Sequence, residues 1–375
     1  MNQRDIKLIT PTTVVLLLII AVGAVAGLYR VFFGLGASTH LNDVWPWGLW
    51  ISFDVLGGVA LAAGGFVIAG AVYILNWKKY KPIVRPAILN AFFGYLLAAT
   101  SITLDIGLPW RIYHPLIMWQ INSIMFIVAI HVVLYTTTLA TESSPMFFEK
   151  LKMPRALNFI QRIMVGIVLF GVLLSTLHQS SLGAVFLIAP TKVSPLWYSS
   201  KLPYMFLVSA VVLALSMVSF ETILSGRVFK HKPPMDILHG MARGSLIVIG
   251  LYLFLKIWDL VRGPGIGLAF NGSLTSNMYL LEMIIGIILP FVLLLNSGVR
   301  TRLNGIFCVN ILVIIGTVLN RMNVGIFSMV EYNGLMGRDY FPSWMEIAVT
   351  MAMVAFAVLG FKVCVKYLNV LKLEH

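Results

Sequence analysis

The chain has 375 residues, of which 59% are hydrophobic and only 11% are charged. Soluble domains carry about 25% charged residues, so this composition excludes an ordinary soluble protein. Apolar runs of about 20 residues, long enough to cross a bilayer as a helix, recur from one end of the sequence to the other. The sequence therefore predicts an all-α, polytopic membrane protein.

The net charge of +13 needs a separate explanation, because strongly basic proteins often bind nucleic acid. Here the Lys and Arg residues stand in short segments between the apolar runs, where they set topology and contact lipid headgroups. We therefore expect membrane lipids as partners and no nucleic acid. The two cysteines, Cys308 and Cys364, are too few for an iron–sulfur cluster, which usually takes about four thiolates.

Ten apolar segments can be drawn, and the connections between them are too short for an inserted soluble domain. The first segment follows basic residues and contains small residues, a pattern that also fits a signal peptide. The apolar run continues through Val31-Phe32-Phe33, which favours an uncleaved helix. Residues 1–375 are predicted to form a single integral membrane domain with helices at about 11–33, 48–76, 86–109, 115–140, 157–178, 202–224, 237–262, 276–296, 303–326 and 344–368.

The basic residues predict the orientation, because loops rich in Lys and Arg remain in the cytoplasm. If the amino terminus lies inside, the inner segments hold most of the 27 Lys and Arg residues, and every inner loop is basic. Both termini are therefore expected on the cytoplasmic side of a bacterial inner membrane.

The predicted outer loops are rich in proline and aromatic residues, unlike the inner loops. Trp and Tyr are common at membrane interfaces, and this alone explains many of these rings. Proline also stiffens a loop, and aromatic rings supply rigid contact area, so the same face suits docking of a periplasmic partner. The clusters are Trp45-Pro46-Trp47, Pro109-Trp110, Pro195-Leu196-Trp197-Tyr198 and Tyr340-Phe341-Pro342-Ser343-Trp344.

Three ionisable residues, Asp54, Asp105 and His178, are predicted in one layer below the outer surface. An ionisable group in the membrane is costly to bury and is a functional candidate by default. Imidazole and carboxyl groups can donate hydrogen bonds to the two oxygens of a quinone and accept the protons of a quinol. In a structural alternative, the two Asp residues pair with Arg111 or a helix end. The predicted site also includes Trp47, Trp50, Gln179, Ser180 and Ser181.

A second set of ionisable residues lies in the later segments. Glu221, near the inner end of the sixth segment, has no obvious partner and is therefore a candidate proton relay. Lys256 and Asp259 are three residues apart on one helical face, and Arg321 and Glu346 both lie in outer parts of their segments. Each of these two couples is predicted either to carry protons or to form a neutralising ion pair.

Haem b would need two histidines that face each other at one depth. The predicted helices place His131 near mid-membrane, His178 near the outer end and His239 at the inner edge, so no such pair emerges. We expect neither haem nor another metal site in this chain.

Several motifs in a fixed order make the sequence resemble a known family. They are Phe33-Gly34-Leu35-Gly36, Pro46-Trp47-Gly48, Trp50-Ile51-Ser52-Phe53-Asp54, Val84-Arg85-Pro86-Ala87, Ser101-Ile102-Thr103-Leu104-Asp105, His178-Gln179-Ser180-Ser181, Pro195-Leu196-Trp197 and Tyr340-Phe341-Pro342-Ser343-Trp344. Over nearly its whole length the chain resembles the NrfD/polysulfide-reductase family of membrane subunits. It is most similar to the HybB-type branch, which is found with periplasmic nickel–iron hydrogenases.

The resemblance implies ten helices arranged largely as two four-helix bundles with peripheral helices, and no haem or cluster in this subunit. It implies a menaquinone or ubiquinone site near the periplasmic surface. There, a four-cluster, ferredoxin-like iron–sulfur subunit would pass electrons between the quinone and a periplasmic catalytic subunit. By similarity, Asp54, Asp105 and His178 lie at positions expected to surround the quinone, and Glu221 at an acidic position linked to proton movement.

One motif departs from the family pattern. In Asn122-Ser123-Ile124-Met125-Phe126-Ile127, hydrogenase-type relatives usually have Glu where Ile127 stands. A standard proton route along the fourth helix is therefore in doubt, and His131, one turn further on, could replace it. Asn122 is also counted among the quinone-binding candidates. The catalytic partner is a hydrogenase, a molybdenum enzyme or a multihaem cytochrome, because the family serves all three.

The leading hypothesis is a quinone oxidoreductase subunit that acts only within a larger complex, with transmembrane proton movement as an additional expectation. A secondary transporter that uses the buried acids for proton coupling is an alternative, and a purely structural anchor for a periplasmic enzyme is another. Co-purification with an iron–sulfur protein and a bound quinone would distinguish the first from the second.

Overall fold

The computed structural model describes residues 6–263 and 265–371, and within these ranges there is no β-strand. Ten helices of the described chain are long and apolar enough to cross a membrane, which confirms the predicted all-α, multi-pass architecture. Numbered as helices 1 to 10, they are Pro11–Phe33, Trp50–Tyr73, Lys78–Asp105, Ile124–Lys150, Pro154–Ile188, Leu202–Val228, Met235–Arg262, Leu274–Leu295, Leu303–Leu335 and Trp344–Tyr367.

Helix 4 differs clearly from its predicted range of 115–140. Residues 109–122 form short turns, and the helix begins after Ser123, whose Oγ accepts a hydrogen bond from the Phe126 amide at 3.4 Å. A serine in this position caps a helix by satisfying one of its free amides. The helix then continues to Lys150 with Pro145 inside it, so residues 141–150 belong to the helix and not to an inner loop.

Helix 5 continues ten residues beyond its predicted end at His178, to Ile188. The polar residues that follow His178 do not end the helix, because their hydroxyls bond back to it. Ser180 Oγ donates to the Thr176 carbonyl at 3.0 Å, and Ser181 Oγ donates to the His178 carbonyl at 2.9 Å. Such back-bonding satisfies a serine within a helix.

The packing of the helices follows their order in the chain. Helices 2 to 5 pack on one another, and helices 6 to 9 pack on one another. The two sets also contact each other, because helix 2 packs on helices 6 and 9 and helix 5 packs on helix 6. Helices 1 and 10 lie side by side, and helix 10 packs against helix 3, so that much of the surface of helix 1 is exposed.

Helices 8 and 9 approach each other very closely at Gly286 and Gly316. A Cβ atom added to Gly316 would lie 1.9 Å from the Gly286 Cα, so no side chain fits between them. Small residues permit this kind of close backbone packing between membrane helices.

We expect Gly316→Ala to destabilise the protein by about 1–3 kcal/mol, because the helices must separate to admit the methyl group. The thermal unfolding midpoint of the purified protein in detergent is the measurement. Gly166→Ala is the matched control, since nothing lies within 4 Å of a Cβ atom added there. Equal midpoints for the two variants would contradict the close approach of helices 8 and 9.

Candidate functional site

The predicted outer layer of ionisable residues is spread over a range of depths. Asp105 is the last residue of helix 3, and Asp54 is the fifth residue of helix 2. His178 lies ten residues before the end of helix 5, or about 15 Å at 1.5 Å per residue. The prediction that His178 lies at the outer end of its helix is therefore wrong, because helix 5 continues past it.

Asp54 lies in an unusual stretch of backbone at the start of helix 2. Trp50–Gly57 forms a π-helix, a rare conformation that is frequent at functional sites. The carboxylate is buried and accepts a hydrogen bond from Thr350 Oγ1 of helix 10 at 2.7 Å. Asp54 thus faces helix 10. Its hydrogen bond joins it to Thr350 and does not support the structural alternative in which Asp54 pairs with Arg111.

Asp105 lies beside a buried arginine of helix 1. Arg30 donates from Nε to the Leu104 carbonyl at 2.7 Å and from Nη2 to the Ile106 carbonyl at 2.6 Å. A cation at this position stabilises the carboxyl-terminal end of helix 3. Arg30 and Glu346 are both close enough to act electrostatically on Asp105. One Asp105 oxygen is buried without a hydrogen-bond partner among the described residues.

Glu346 completes this group at the start of helix 10. It accepts hydrogen bonds from Tyr340 Oη at 2.6 Å and from the Ser343 amide at 2.8 Å, the second as part of a capping box. Burial and the Glu346 carboxylate raise the pKa of Tyr340, which keeps the phenol protonated as a donor. We call Asp54, Asp105 and Glu346 the outer acidic group.

His178 belongs to a second, deeper group that is formed by helices 3, 4 and 5. Its imidazole is completely buried, and neither ring nitrogen has a hydrogen-bond partner in the described part of the chain. The His131 ring lies 5.9 Å away between centroids, edge to face, and the Tyr95 ring lies 5.6 Å away. Ser181 Oγ is 3.5 Å from His131 Nδ1. We call His131, His178, Tyr95 and Tyr135 the imidazole–tyrosine group.

Buried polar side chains extend from this group towards the inner end of helix 4. The Tyr95 and Tyr135 rings meet edge to face, with 4.5 Å between centroids. Glu142, two turns beyond Tyr135, is buried, and both side chains flank Gly171 of helix 5. Ser175 of helix 5 lies beside both phenols, and one Glu142 carboxylate oxygen is buried without a partner among residues 6–263 and 265–371.

The remaining predicted site residues are dispersed around these two groups. Trp47 packs on Phe186 of helix 5, with 5.0 Å between the ring centroids. Trp50 faces helix 10 instead, where its Nε1 donates a hydrogen bond to the Glu346 carbonyl at 3.2 Å. Gln179 donates to the Val59 carbonyl at 3.1 Å. Asn122 is exposed in the outer connection. No described direct contact joins Asp54 or Asp105 to His178.

Glu221 has a partner, contrary to the prediction. Asn90 of helix 3 donates a hydrogen bond from Nδ2 to the half-buried Glu221 carboxyl group. Glu221 also borders two cavities near the carboxyl-terminal end of helix 6, of about 200 Å³ and 830 Å³. The smaller is lined in part by His231 and Lys232 of the connection between helices 6 and 7.

Both ion pairs suggested by the sequence are wrong. Lys256 pairs with Glu282 of helix 8 at 2.7 Å, and Asp259 pairs instead with Lys201 at 2.9 Å. Arg321 donates to Asn320 and Ser209 and to the Phe206 carbonyl. The partners are set by which helices face each other, and spacing along one helix does not contain that information.

Two tyrosines of the deeper group, Tyr95 and Tyr135, and the neighbouring Glu142 were absent from the sequence-based site. Tyr95 and Tyr135 lie well inside apolar segments, whereas tyrosines of membrane proteins favour the interfaces, so their depth was an available signal. Glu142 fell outside the predicted range of helix 4 and was therefore treated as part of a loop.

The fold and these two groups define a multi-pass membrane protein with ionisable and phenolic side chains buried between its helices. Residues 36–330 match the model of the polysulphide reductase NrfD family. The match covers most of the chain, and the chain belongs to the NrfD family. This confirms the resemblance that the motifs indicated.

Named relatives are similar over nearly the whole chain. The "Probable Ni/Fe-hydrogenase 2 b-type cytochrome subunit" of Escherichia coli is 32% identical, covering 91% of this chain and 88% of the relative. The "Menaquinone reductase, integral membrane subunit" of Nitratidesulfovibrio vulgaris is 27% identical, covering 92% and 88%. A further protein of Nitratidesulfovibrio vulgaris is 38% identical, covering 93% and 91%.

The name of the Escherichia coli relative raises the question of haem. His131 and His178 do face each other, so the prediction that they lie at different depths is wrong. Their surroundings do not fit the macrocycle, however, because His178 is completely buried and the Tyr95 ring lies against it. Ser181 Oγ also lies beside the His131 ring, so a haem between the two imidazoles would displace both the Tyr95 ring and the Ser181 side chain.

Proposed function

We propose that this chain is the quinone-reactive membrane subunit of a respiratory oxidoreductase complex in a bacterial inner membrane, with both termini in the cytoplasm. Its substrate is menaquinone or ubiquinone. The family match and the two relatives named as subunits of a hydrogenase and a menaquinone reductase support this function.

The observation that carries the proposal is the buried His178 imidazole with two unpartnered nitrogens. A buried polar atom that lacks a hydrogen bond costs about 1–3 kcal/mol, so its presence calls for an explanation, and a redox or catalytic role is one. A neutral imidazole donates from one nitrogen and accepts at the other. His178 can therefore donate to an oxygen of a quinone or accept a proton from a quinol. The neighbouring His131 is only half-buried, and in the proposal the quinone reaches His178 past this residue.

The outer acidic group has a complementary role in the proposal. Oxidation of a quinol to a quinone releases two electrons and two protons, and the protons need acceptors. Asp54 and Asp105 lie closer to the outer helix ends than His178 does, so they are suited to receive protons on their way out. Trp47, Trp50, Gln179, Ser180 and Ser181 border this region and complete the proposed quinone site, with Asn122 at its mouth.

Proton exchange with the inner surface has its own candidate residues. Tyr95 of helix 3 and Tyr135 and Glu142 of helix 4 form a buried row that leads inward from His178. Helix 4 is also the helix in which Ile127 stands where the family resemblance leads us to expect a glutamate. Phenol and carboxyl groups both donate and accept protons. We assign the row to proton transfer, and Glu221, which borders the inner cavities, to a second entry point.

Glu142→Gln is expected to lower quinone-linked turnover about ten-fold, because an amide cannot relay a proton as a carboxyl group does. Turnover by the purified complex and proton uptake by the complex in sealed vesicles are the measurements. The control is Glu331→Gln, which alters an exposed carboxylate. A Glu142→Gln complex with unchanged turnover and proton uptake would contradict the role of the row, and the same two measurements on Glu221→Gln test the second entry point.

The outer loops supply the proposed docking face for a four-cluster iron–sulfur subunit, which connects to the periplasmic catalytic subunit. Trp110, Phe341 and Trp344 are exposed, at 60%, 75% and 63%, and support this role. Trp45 and Trp197 are buried, so they stiffen the loops from within. The catalytic partner is a hydrogenase, a molybdenum enzyme or a multihaem cytochrome.

Purification of the intact complex tests the proposed function against the two alternatives. We expect an iron–sulfur subunit and an isoprenoid quinone to co-purify with the chain, and the complex to reduce or oxidise an added quinone. Proton-dependent uptake of a solute by the chain alone, without a redox partner, would instead indicate a transporter. An assembled complex whose quinone turnover is independent of His178 would indicate a structural anchor.

A further inference from the structure

A large cleft separates helix 1 from helices 2, 3 and 6, with helix 10 along one side. Its volume is about 830 Å³, and most of its wall is hydrocarbon, including Leu16, Leu61, Leu97, Leu224 and Phe361. An apolar cavity of about 150 Å³ in another protein is large enough to hold benzene. By that measure, this cleft has room for roughly thirty carbon atoms of a chain-like ligand.

The mouth of the cleft, near the start of helix 1, is cationic. The Lys362 ammonium group donates to Thr13 Oγ1 at 2.8 Å, to the Leu8 carbonyl at 3.2 Å and to Thr10 Oγ1 at 3.4 Å. These three acceptors are neutral. Lys7 also lines the mouth and is exposed. In the described ranges, no carboxylate forms an ion pair with either lysine.

A second polar feature lies deeper in the same cleft. Glu221 forms part of the wall, and Asn90 donates a hydrogen bond to its carboxyl group. Glu221 is seven residues from the end of helix 6, or about 10 Å along the helix axis at 1.5 Å per residue. The cationic mouth and the hydrocarbon wall are therefore separate regions, as the head and the chains of an amphiphile require.

We propose that this cleft binds an anionic phospholipid, with its acyl chains along the apolar wall and its phosphate at Lys362 and Lys7. Basic pockets between membrane helices are suited to anionic headgroups, and lysine binds phosphate as a point charge. The lipid fills the space between helix 1 and the rest of the protein and covers Glu221 on that side. This site does not depend on the proposed quinone chemistry.

The charge at the mouth favours a phospholipid over the isoprenoid tail of a quinone as the occupant. A quinone has a neutral head group, which gains no charge–charge attraction from two lysines that form no ion pair within the described part of the chain. A phosphate at the same place is attracted by the positive charge of the Lys362 ammonium group, whose present hydrogen-bond acceptors are all neutral, and by the exposed Lys7. The cleft has room for the acyl chains of a phospholipid or for the isoprenoid tail of a quinone. The head group therefore determines which of the two ligands binds.

Two variants and two matched controls test the site in the purified full-length protein. Native mass spectrometry after delipidation with detergent should detect bound phosphatidylglycerol or cardiolipin on the wild type. Lys362→Met is expected to retain about five-fold less, from the loss of one cation near the membrane surface. Ala357→Trp, which fills the apolar part, should lose the lipid while keeping Lys362. Lys150→Met and Ala24→Trp alter exposed residues outside the cleft and should retain wild-type amounts.

The wild-type protein also gives a test that needs no variant. Added phosphatidylglycerol should raise the thermal unfolding midpoint of delipidated protein, and phosphatidylcholine should have a smaller effect. Recovery of a quinone in place of a phospholipid, equal retention by Lys362→Met and Lys150→Met, or equal stabilisation by the two lipids would overturn the proposal.

Discussion

Replacing His178 with alanine is expected to lower quinone-linked turnover by roughly 100-fold or more, because positioned acid–base groups contribute about 10²–10⁴-fold to proton transfer. The imidazole is the centre of the deeper group, and His131 and Tyr95 both pack against it. Its loss removes the hydrogen-bonding atoms that we assign to the quinone head group. Turnover by the purified complex with an added soluble quinone or quinol is the measurement.

The control for this experiment is His114→Ala. His114 lies in the outer connection between helices 3 and 4, where its ring packs on Tyr113 at 4.8 Å between centroids. That variant should retain turnover close to the wild type. Co-purification of the partner subunits with both variants shows whether assembly is intact. An assembled His178→Ala complex with wild-type turnover would refute the proposed role of the imidazole.

Lys256→Met is expected to cause the largest loss of stability, about 3–5 kcal/mol, because removal of one partner of a buried ion pair leaves the other charge uncompensated. The side chains of Lys256 and Glu282 are only 5% and 1% exposed. Glu282 would keep the hydrogen bonds from Asn320, Asn323 and Trp197 but would lose its ion pair. The thermal unfolding midpoint and the yield of folded protein measure the effect.

Lys201→Met provides a matched comparison, because it also removes a lysine from an ion pair. The Lys201 and Asp259 side chains are 36% and 20% exposed, and ion pairs that reach solvent contribute only about 0–1 kcal/mol. Its midpoint should therefore stay close to that of the wild type. Similar losses of stability in the two lysine variants would show that the buried Lys256–Glu282 pair stabilises the protein no more than the partly exposed Lys201–Asp259 pair does.

The number and class of the helices could be predicted from the sequence, because an apolar run of membrane length has few alternatives to a helix in hydrocarbon. The residues at which the helices end were harder to predict. Ser180 and Ser181 resemble a polar stop, yet their hydroxyls bond to carbonyls of their own helix. Helix 5 therefore continues, and the predicted depth of His178 was too shallow by about three turns.

The candidate residues were easier to select than their partners. A buried ionisable residue is visible in a sequence because the membrane makes it costly, and the selection of Asp54, Asp105, His178 and Glu221 needed no structure. The partners depend on the rotation of each helix towards its neighbours. Lys256 therefore meets Glu282, which is 26 residues away along the chain, and not Asp259 on its own helix.

The spread of depths changes the proposed site in a specific way. If Asp54, Asp105 and His178 lay at one depth, all three could contact the same quinone ring. In the structure, the acids face Thr350 and Arg30 near the outer ends, and His178 faces His131 and helix 3 further inside. We therefore propose a division of roles in which the imidazole contacts the head group and the acids conduct its protons outward.

Photoaffinity labelling of the intact complex with an azidoquinone tests this arrangement most directly. We expect the label on helices 3, 4 and 5 near Tyr95, His131 and His178, and displacement of the label by excess unlabelled quinone. Displaceable labelling confined to helices 6 to 9, or to the cleft beside helix 1, would contradict the proposal that the imidazole–tyrosine group receives the quinone.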